Sequence, residues 1–180
     1  MLFEFTMAGF GGQGILYMGD VLAQAALREG LNATFLPTYG AAMRGGTANC
    51  VVFISDEEIG AMTLDQPSAA VLMNQASLDK FQAVVRPGGL LVANTSLADS
   101  STLRRSDLRV VWIPATQISK ETVGTERSAN IVALGALLKA EPVVKVSTIE
   151  DIFKDGATGK RAAMLESNRA AFRAGLDFGT

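Results

Sequence analysis

The residues best placed to do chemistry are six near the N-terminus, Gly9-Phe10-Gly11-Gly12-Gln13-Gly14. Gly9, Gly11 and Gly14 satisfy G-x-G-x-x-G, with Gly12 and Gln13 filling the spacing. Glycine reaches positive φ at no steric cost and lets another group approach the backbone closely. A helix that begins at such a turn offers unpaired N–H groups and the positive end of its dipole to an anion. These five residues are therefore candidates to hold a phosphate-bearing cofactor, or else form a tight strand–helix turn packed against a neighbour. A dinucleotide asks for more, an Asp or Glu about 20 residues further on for the ribose hydroxyls. That region reads Leu36-Pro37-Thr38-Tyr39, and no carboxylate lies between Gly30 and Ser55. NAD or FAD is disfavoured on that ground. A phosphate loop of the G-x-x-x-x-G-K-[ST] kind is absent; Gly156-Ala157-Thr158-Gly159-Lys160 resembles it only superficially.

A second segment, residues 39–49, is rich in small residues and carries Tyr39, Gly40, Met43, Arg44, Gly45, Gly46 and Asn49. Arg44 is the only cation between Arg28 and Lys80. Flanked by glycines, it could clamp a carboxylate or phosphate of a ligand or partner; it could equally pair with Asp20 or reach solvent. Both segments follow expected strands, and loops after parallel strands collect at one edge of a sheet, where ligand and partner sites lie. Residues 39–49 are thus read as an interface or active-site-covering loop beside the first.

The absences narrow the chemistry. The chain has no His and a single Cys, Cys50. A zinc site, a cluster held by several thiolates, a Ser-His-Asp triad and a disulfide framework all need residues that are missing. No catalytic residue and no metal site is assigned. Net charge is −2, which leaves no electrostatic footprint for nucleic acid. The longest apolar run, residues 131–138, is far short of the ~18 residues of a membrane span. No basic region precedes the first apolar residues, so a signal peptide is not expected, and the lone Cys fits a reducing cytoplasm. Charged residues make up only 19%, as expected where another protein covers part of the surface.

These residues must be positioned by an α/β framework. At 180 residues the chain suits one domain. Short β-type runs at 2–7, 32–36, 50–54, 69–73, 90–93 and 109–113 alternate with helical stretches, which predicts a mostly parallel sheet. Helices are expected over 15–28, 128–140 and about 160–176, making the last third helical. Asn168 falls on the apolar stripe of the last one and reads as a satisfied core or capping amide. Asn130, just inside its helix after Ser128, is either a capping or buried amide or a loop-binding group, with the structural role favoured. Cys50 opens a β-branched strand and reads as a small buried hydrophobe, and Trp112 as core.

In this order, five stretches resemble the gamma subunit of the 2-oxoacid:ferredoxin oxidoreductases, most closely the 2-oxoglutarate (ketoglutarate) type. They are Gly9-Phe10-Gly11-Gly12-Gln13-Gly14, residues 39–50 with Met43-Arg44-Gly45-Gly46-Thr47-Ala48-Asn49-Cys50, Trp112-Ile113-Pro114-Ala115-Thr116, Ala129-Asn130-Ile131-Val132-Ala133-Leu134-Gly135-Ala136, and Asn168-Arg169-Ala170-Ala171-Phe172-Arg173-Ala174-Gly175. One departure stands out: the family's second loop reads Gly-Pro-Glu where this chain has Gly40-Ala41-Ala42, so a turn proline and a carboxylate are lost. The resemblance implies a Rossmann-like three-layer α/β domain over residues 1–180. It implies a subunit of an enzyme that oxidatively decarboxylates a 2-oxoacid to its acyl-CoA and reduces ferredoxin. Thiamine diphosphate, iron–sulfur clusters and coenzyme A belong to the complex; none is held by this chain alone. Alpha, beta and delta-type subunits are the implied partners, with ferredoxin reached indirectly. The two glycine loops would then cover the thiamine or CoA side of the active site. A stand-alone nucleotide-binding domain using the loop from Gly9 to Gly14 is the alternative, and a structural module without redox chemistry a third.

Overall fold

The computed structural model describes residues 1–39, 46–60, 66–157, 159 and 162–179. Strands β1 (Leu2–Phe10), β2 (Asn32–Tyr39), β3 (Thr47–Ser55), β4 (Ala69–Leu72), β5 (Leu90–Asn94) and β6 (Arg109–Ile113) form one sheet in the order β2-β3-β1-β4-β5-β6. Helices are α1 (Ile15–Arg28), α2 (Gln75–Phe81), α3 (Ala115–Val123), α4 (Ala129–Ala140), α5 (Val146–Gly156) and α6 (Met164–Asp177).

The sheet is mostly parallel, as the alternation of elements predicts. β1, β4, β5 and β6 run alike in register Phe5 to Ala69, Leu72 to Ala93 and Val92 to Val111. β3 is the exception. It runs against both neighbours, pairing Phe5 with Val52 in β1 and Phe35 with Val52 in β2. The seven residues between β2 and β3 are too few for a crossover, which needs about a dozen, so a hairpin is the available connection. β2 forms one edge of the sheet and carries Pro37, a residue without an N–H to offer a further strand.

Alternate residues of each strand face opposite layers. Phe5, Met7, Val52, Ile54, Val71 and Val92 pack into the larger core with α1, α4, α5 and α6. Ala8, Ala70, Leu72, Leu91 and Ala93 pack with Leu78 of α2 into a smaller one, which completes three layers. Trp112, expected in the core, is half-buried on edge strand β6 beside that smaller cluster. The layers are close. α1 crosses β3 so tightly that a Cβ on Gly19 would sit 2.6 Å from Cys50 Sγ.

α4 departs from the single apolar stripe read in sequence: every residue from Ala129 to Leu138 is buried. The sheet covers one side and α6 the other. A Cβ on Gly135 would collide with the Phe172 carbonyl, and one on Gly175 with the Val132 carbonyl, so the two helices touch backbone to backbone.

Candidate functional site

β1 ends between α1, which packs on one face of the sheet, and β4, whose helix α2 packs on the other. The chain diverges here, and the crevice between such strand ends is where open α/β sheets place ligands. The glycine segment fills that position. Gly12 has φ of 94° and Gly14, the residue that starts α1, has φ of 71°; both need glycine for their left-handed conformation. Gly9 is required for a different reason, since a Cβ there would lie 2.6 Å from Gln13 Oε1 and from Ile15 Cδ1.

Gln13 folds back across the crevice. Its Oε1 accepts from the Phe10 N–H at 2.6 Å and from Asn74 Nδ2 at 3.0 Å. Its Nε2 donates to the Met73 carbonyl at 3.4 Å. Asn94, at the end of β5, donates to the same carbonyl at 3.2 Å and to Thr116 Oγ1 at 2.9 Å. Asn74 also caps α2 by accepting from the Ser77 N–H at 2.9 Å. Three amides thus tie together the ends of β1, β4 and β5. Asn74 and Asn94 escaped the sequence reading. Their available signal is a polar residue directly after an apolar strand.

Asn130 donates from Nδ2 to the Gly14 carbonyl at 3.0 Å, and a Cβ on Gly14 would collide with that amide. Asn130 is 3% exposed and its Oδ1 has no hydrogen-bond partner among the described residues. It is the buried amide expected, and it clasps the loop from the side of α4.

The second segment arrives at the same edge. The hairpin brings Ala48 opposite Gly9 and Asn49 opposite Ala8, and the Gly11 N–H donates to the Gly46 carbonyl at 2.9 Å. Tyr39 pairs with Ala48 along the backbone. Gly40, Met43, Arg44 and Gly45, with Ala41 and Ala42, lie outside the described residues, as does the Tyr39 side chain.

Beside the glycine segment is a cleft of about 220 Å³. Gly12 and Gln13 form one wall, Leu97 and Thr116 another, and Glu126, Arg127 and Ala129 the third. The starts of α3 and α4 border it, their first N–H groups already taken: Thr116 and Gln117 donate to Asn94 Oδ1 at 3.3 Å and Ser96 Oγ at 3.2 Å, and Ala129 donates to the Glu126 carbonyl. Arg127 is exposed and its guanidinium has no ion-pair partner among the described residues, whereas Glu126 pairs with Lys120 at 3.6 Å. Arg127 thus brings one unpaired cation to a cleft that Glu126 also lines. Cys50 is remote from this chemistry. It is fully buried, its Sγ lies 3.7 Å from the Ile15 carbonyl, and burial pushes the thiol up to about 12 from an ordinary 9.0. Among the described residues no three His, Cys, Asp or Glu side chains gather as a metal site, and no helix is long and apolar enough to cross a membrane.

The family model for pyruvate ferredoxin/flavodoxin oxidoreductase matches residues 4–178. The chain belongs to this family. Its homologues are subunits of 2-oxoacid:ferredoxin oxidoreductases. The 2-oxoglutarate synthase subunit KorC of Methanothermobacter thermautotrophicus is 34% identical over 179 residues, covering 97% of this chain and 93% of KorC. The ketoisovalerate oxidoreductase subunit VorA of Methanothermobacter marburgensis is 46% identical over 132 residues, or 73% of this chain. The chain spans only 27% of VorA's length. The 2-oxoglutarate:ferredoxin oxidoreductase of Magnetococcus marinus, solved with 2-oxoglutarate, coenzyme A and succinyl-CoA bound, superposes with a TM-score of 0.86 at 27% identity. That match covers 97% of this chain and 30% of the Magnetococcus chain. Members of the family therefore carry this domain both as a chain of its own size and inside a longer polypeptide.

Proposed function

We propose that this chain is the gamma subunit of a cytoplasmic, multi-subunit 2-oxoacid:ferredoxin oxidoreductase. Its reaction converts 2-oxoglutarate and coenzyme A to succinyl-CoA and CO2, with the two electrons passing to ferredoxin. The observation that carries the reading is the end-to-end match with KorC, 97% of one chain on 93% of the other. The chemistry of the residues supports a partner's role. One buried Cys does not fit an iron–sulfur cluster, and no His or carboxylate pair at the rim offers a proton relay. Thiamine diphosphate and the clusters are assigned to alpha, beta and delta-type subunits.

The pyrophosphate of coenzyme A is assigned to the cleft at the rim, whose 220 Å³ takes only part of that molecule. Its phosphates need cations and N–H donors; Arg127 provides the first and the start of α1 at Gly14 the second. Coenzyme A supplies the thiol that takes up the acyl group. Gln13, Asn74 and Asn94 keep the rim rigid beneath it, and the Gly11–Gly46 hydrogen bond holds the two glycine segments side by side. A free-standing dinucleotide-binding domain is disfavoured, because Gln13 occupies the crevice and no carboxylate follows β2.

The test is reconstitution. Co-expressed with its partner subunits, the chain is expected to complete a particle that reduces ferredoxin with CoA, and fastest with 2-oxoglutarate among 2-oxoglutarate, pyruvate and 2-oxoisovalerate. The chain alone is expected to be silent. Turnover by the lone chain, or an active particle that never contains it, would overturn the reading. Preference for 2-oxoisovalerate would overturn the substrate alone.

A further inference from the structure

The sheet ends on two edges of different character. β2 closes one with Pro37, which has no N–H to offer. β6 forms the other without such a guard: it has no proline, and its single charge is Arg109, its first residue. The Arg109 N–H donates to the Gly89 carbonyl, and the Ile113 carbonyl accepts from the Thr95 N–H. Arg109, Val111 and Ile113 therefore turn their main chain toward β5, and Val110 and Trp112 turn theirs outward. No strand of the described residues lies there to pair with them. On the α4 side the edge opens into a cleft of about 400 Å³, lined in part by Val111, Ala136, Ala140 and Phe178. Lys139 also lines it, its ammonium donating to the Phe178 carbonyl at 2.9 Å.

We propose that β6 pairs with β6 of a second copy of this chain, antiparallel across a two-fold axis at Val111, joining the two sheets into one. The inference goes beyond the subunit reading, since it concerns how two copies meet. The strand is complementary to itself in that register. Val110 falls opposite the second copy's Trp112, and Trp112 opposite its Val110. Both residues face the seam, so every outward N–H and C=O of the two strands finds a partner. A shift by two residues either way sets one of them opposite itself and the other opposite Leu108 or Pro114, outside the strand. On the α2 side the favoured register sets valine against tryptophan, a stabilising cross-strand pair. The charges agree as well. The Arg109 side chain, 56% exposed, falls opposite the second copy's Ile113. The two arginines stand at opposite ends of the seam, and no like charges meet within it. Such self-complementarity is what a two-fold interface demands of one surface.

Sedimentation of the full chain is expected to show a concentration-dependent dimer. Val111→Lys sets two ammonium groups opposite each other at the axis and is expected to raise the dimer dissociation constant at least tenfold. Val111→Glu is expected to do the same. An equimolar mixture of the two is expected to dimerise again, a rescue that misfolded chains would not give. Val110→Pro removes an outward N–H, where an edge strand tolerates proline. It is expected to melt near the parent and to sediment as a monomer. Hydrogen exchange at the Val110 and Trp112 amides of the parent is expected to slow at least tenfold as the dimer forms. A chain that stays monomeric at every concentration, or a dimer that Val111→Lys and Val110→Pro leave intact, would refute the pairing. Protection of these amides only when other subunits are added would refute it too, naming a strand of theirs as the occupant. Neither result touches the subunit reading, which reconstitution decides.

Discussion

Gln13 shows how a motif residue changes meaning once its side chain is placed. The glycine spacing made it a candidate cofactor contact, yet its amide turns inward and spans two strand ends. Spacing reports backbone conformation, and Gly12 and Gly14 do take the positive φ that the motif predicts. It does not report where a flexible side chain folds, and the companion amides Asn74 and Asn94 lie 60 and more residues away in sequence. Gln13→Ala is expected to cost about 1–3 kcal/mol, because the Phe10 N–H and the Asn74 amide lose their acceptor. Urea unfolding measures it, and an unchanged midpoint would contradict the network. Cys50 gives a second prediction. Its thiol is held protonated in the folded chain and ionises near 9.0 once unfolded. Between about pH 9 and pH 12 the folded state therefore binds the extra proton, and stability falls as pH rises through that window. Unfolding free energy should drop by up to about 1.4 kcal/mol per pH unit there, and Cys50→Ala should flatten that slope. Parallel slopes for the two proteins would show that Cys50 does not control it.

Among the elements, α4 and α6 are joined by their smallest residues. Gly175→Ala drives a methyl group into the Val132 carbonyl, and backbone cannot rotate away as a side chain can. A loss of at least about 1–3 kcal/mol is expected, the range for overpacked cores. Gly156→Ala, with open space around it, is the control and should melt close to the parent. Equal melting of the two variants would contradict the backbone contact. The sequence made these helices legible through periodicity but not their embrace, since a glycine inside a helix reads only as a weak spot. Strand polarity was half legible. Apolar runs look alike in parallel and antiparallel neighbours, so β3 was indistinguishable from the others by composition. The strand ends hid the answer: runs read at 32–36 and 50–54 leave thirteen residues, enough for a crossover, whereas the strands extend to Tyr39 and from Thr47 and leave seven.

At the scale of the whole molecule the domain matches relatives that carry it as a chain of its own size and within longer chains. Its ordered motifs made the family legible from sequence, and the first of them sits where Gly12 and Gly14 take a positive φ. The cleft beside Arg127 was not legible, since it joins the glycine segment before α1 to the starts of α3 and α4, 100 and 114 residues after the start of α1. In the reconstituted enzyme, Arg127→Glu is expected to raise the KM for coenzyme A about tenfold or more, as the loss of a charge-assisted contact of roughly 1.5–3 kcal/mol implies. Turnover at saturating coenzyme A should stay near the parent value. An unchanged KM would remove Arg127 from the site. The hydrogen bond between Gly11 and Gly46 carries its own consequence at this scale. It works as a rivet: a neighbour that pulls on the hairpin also tugs the beginning of α1, so whatever seats itself on one glycine segment reports its arrival to the other.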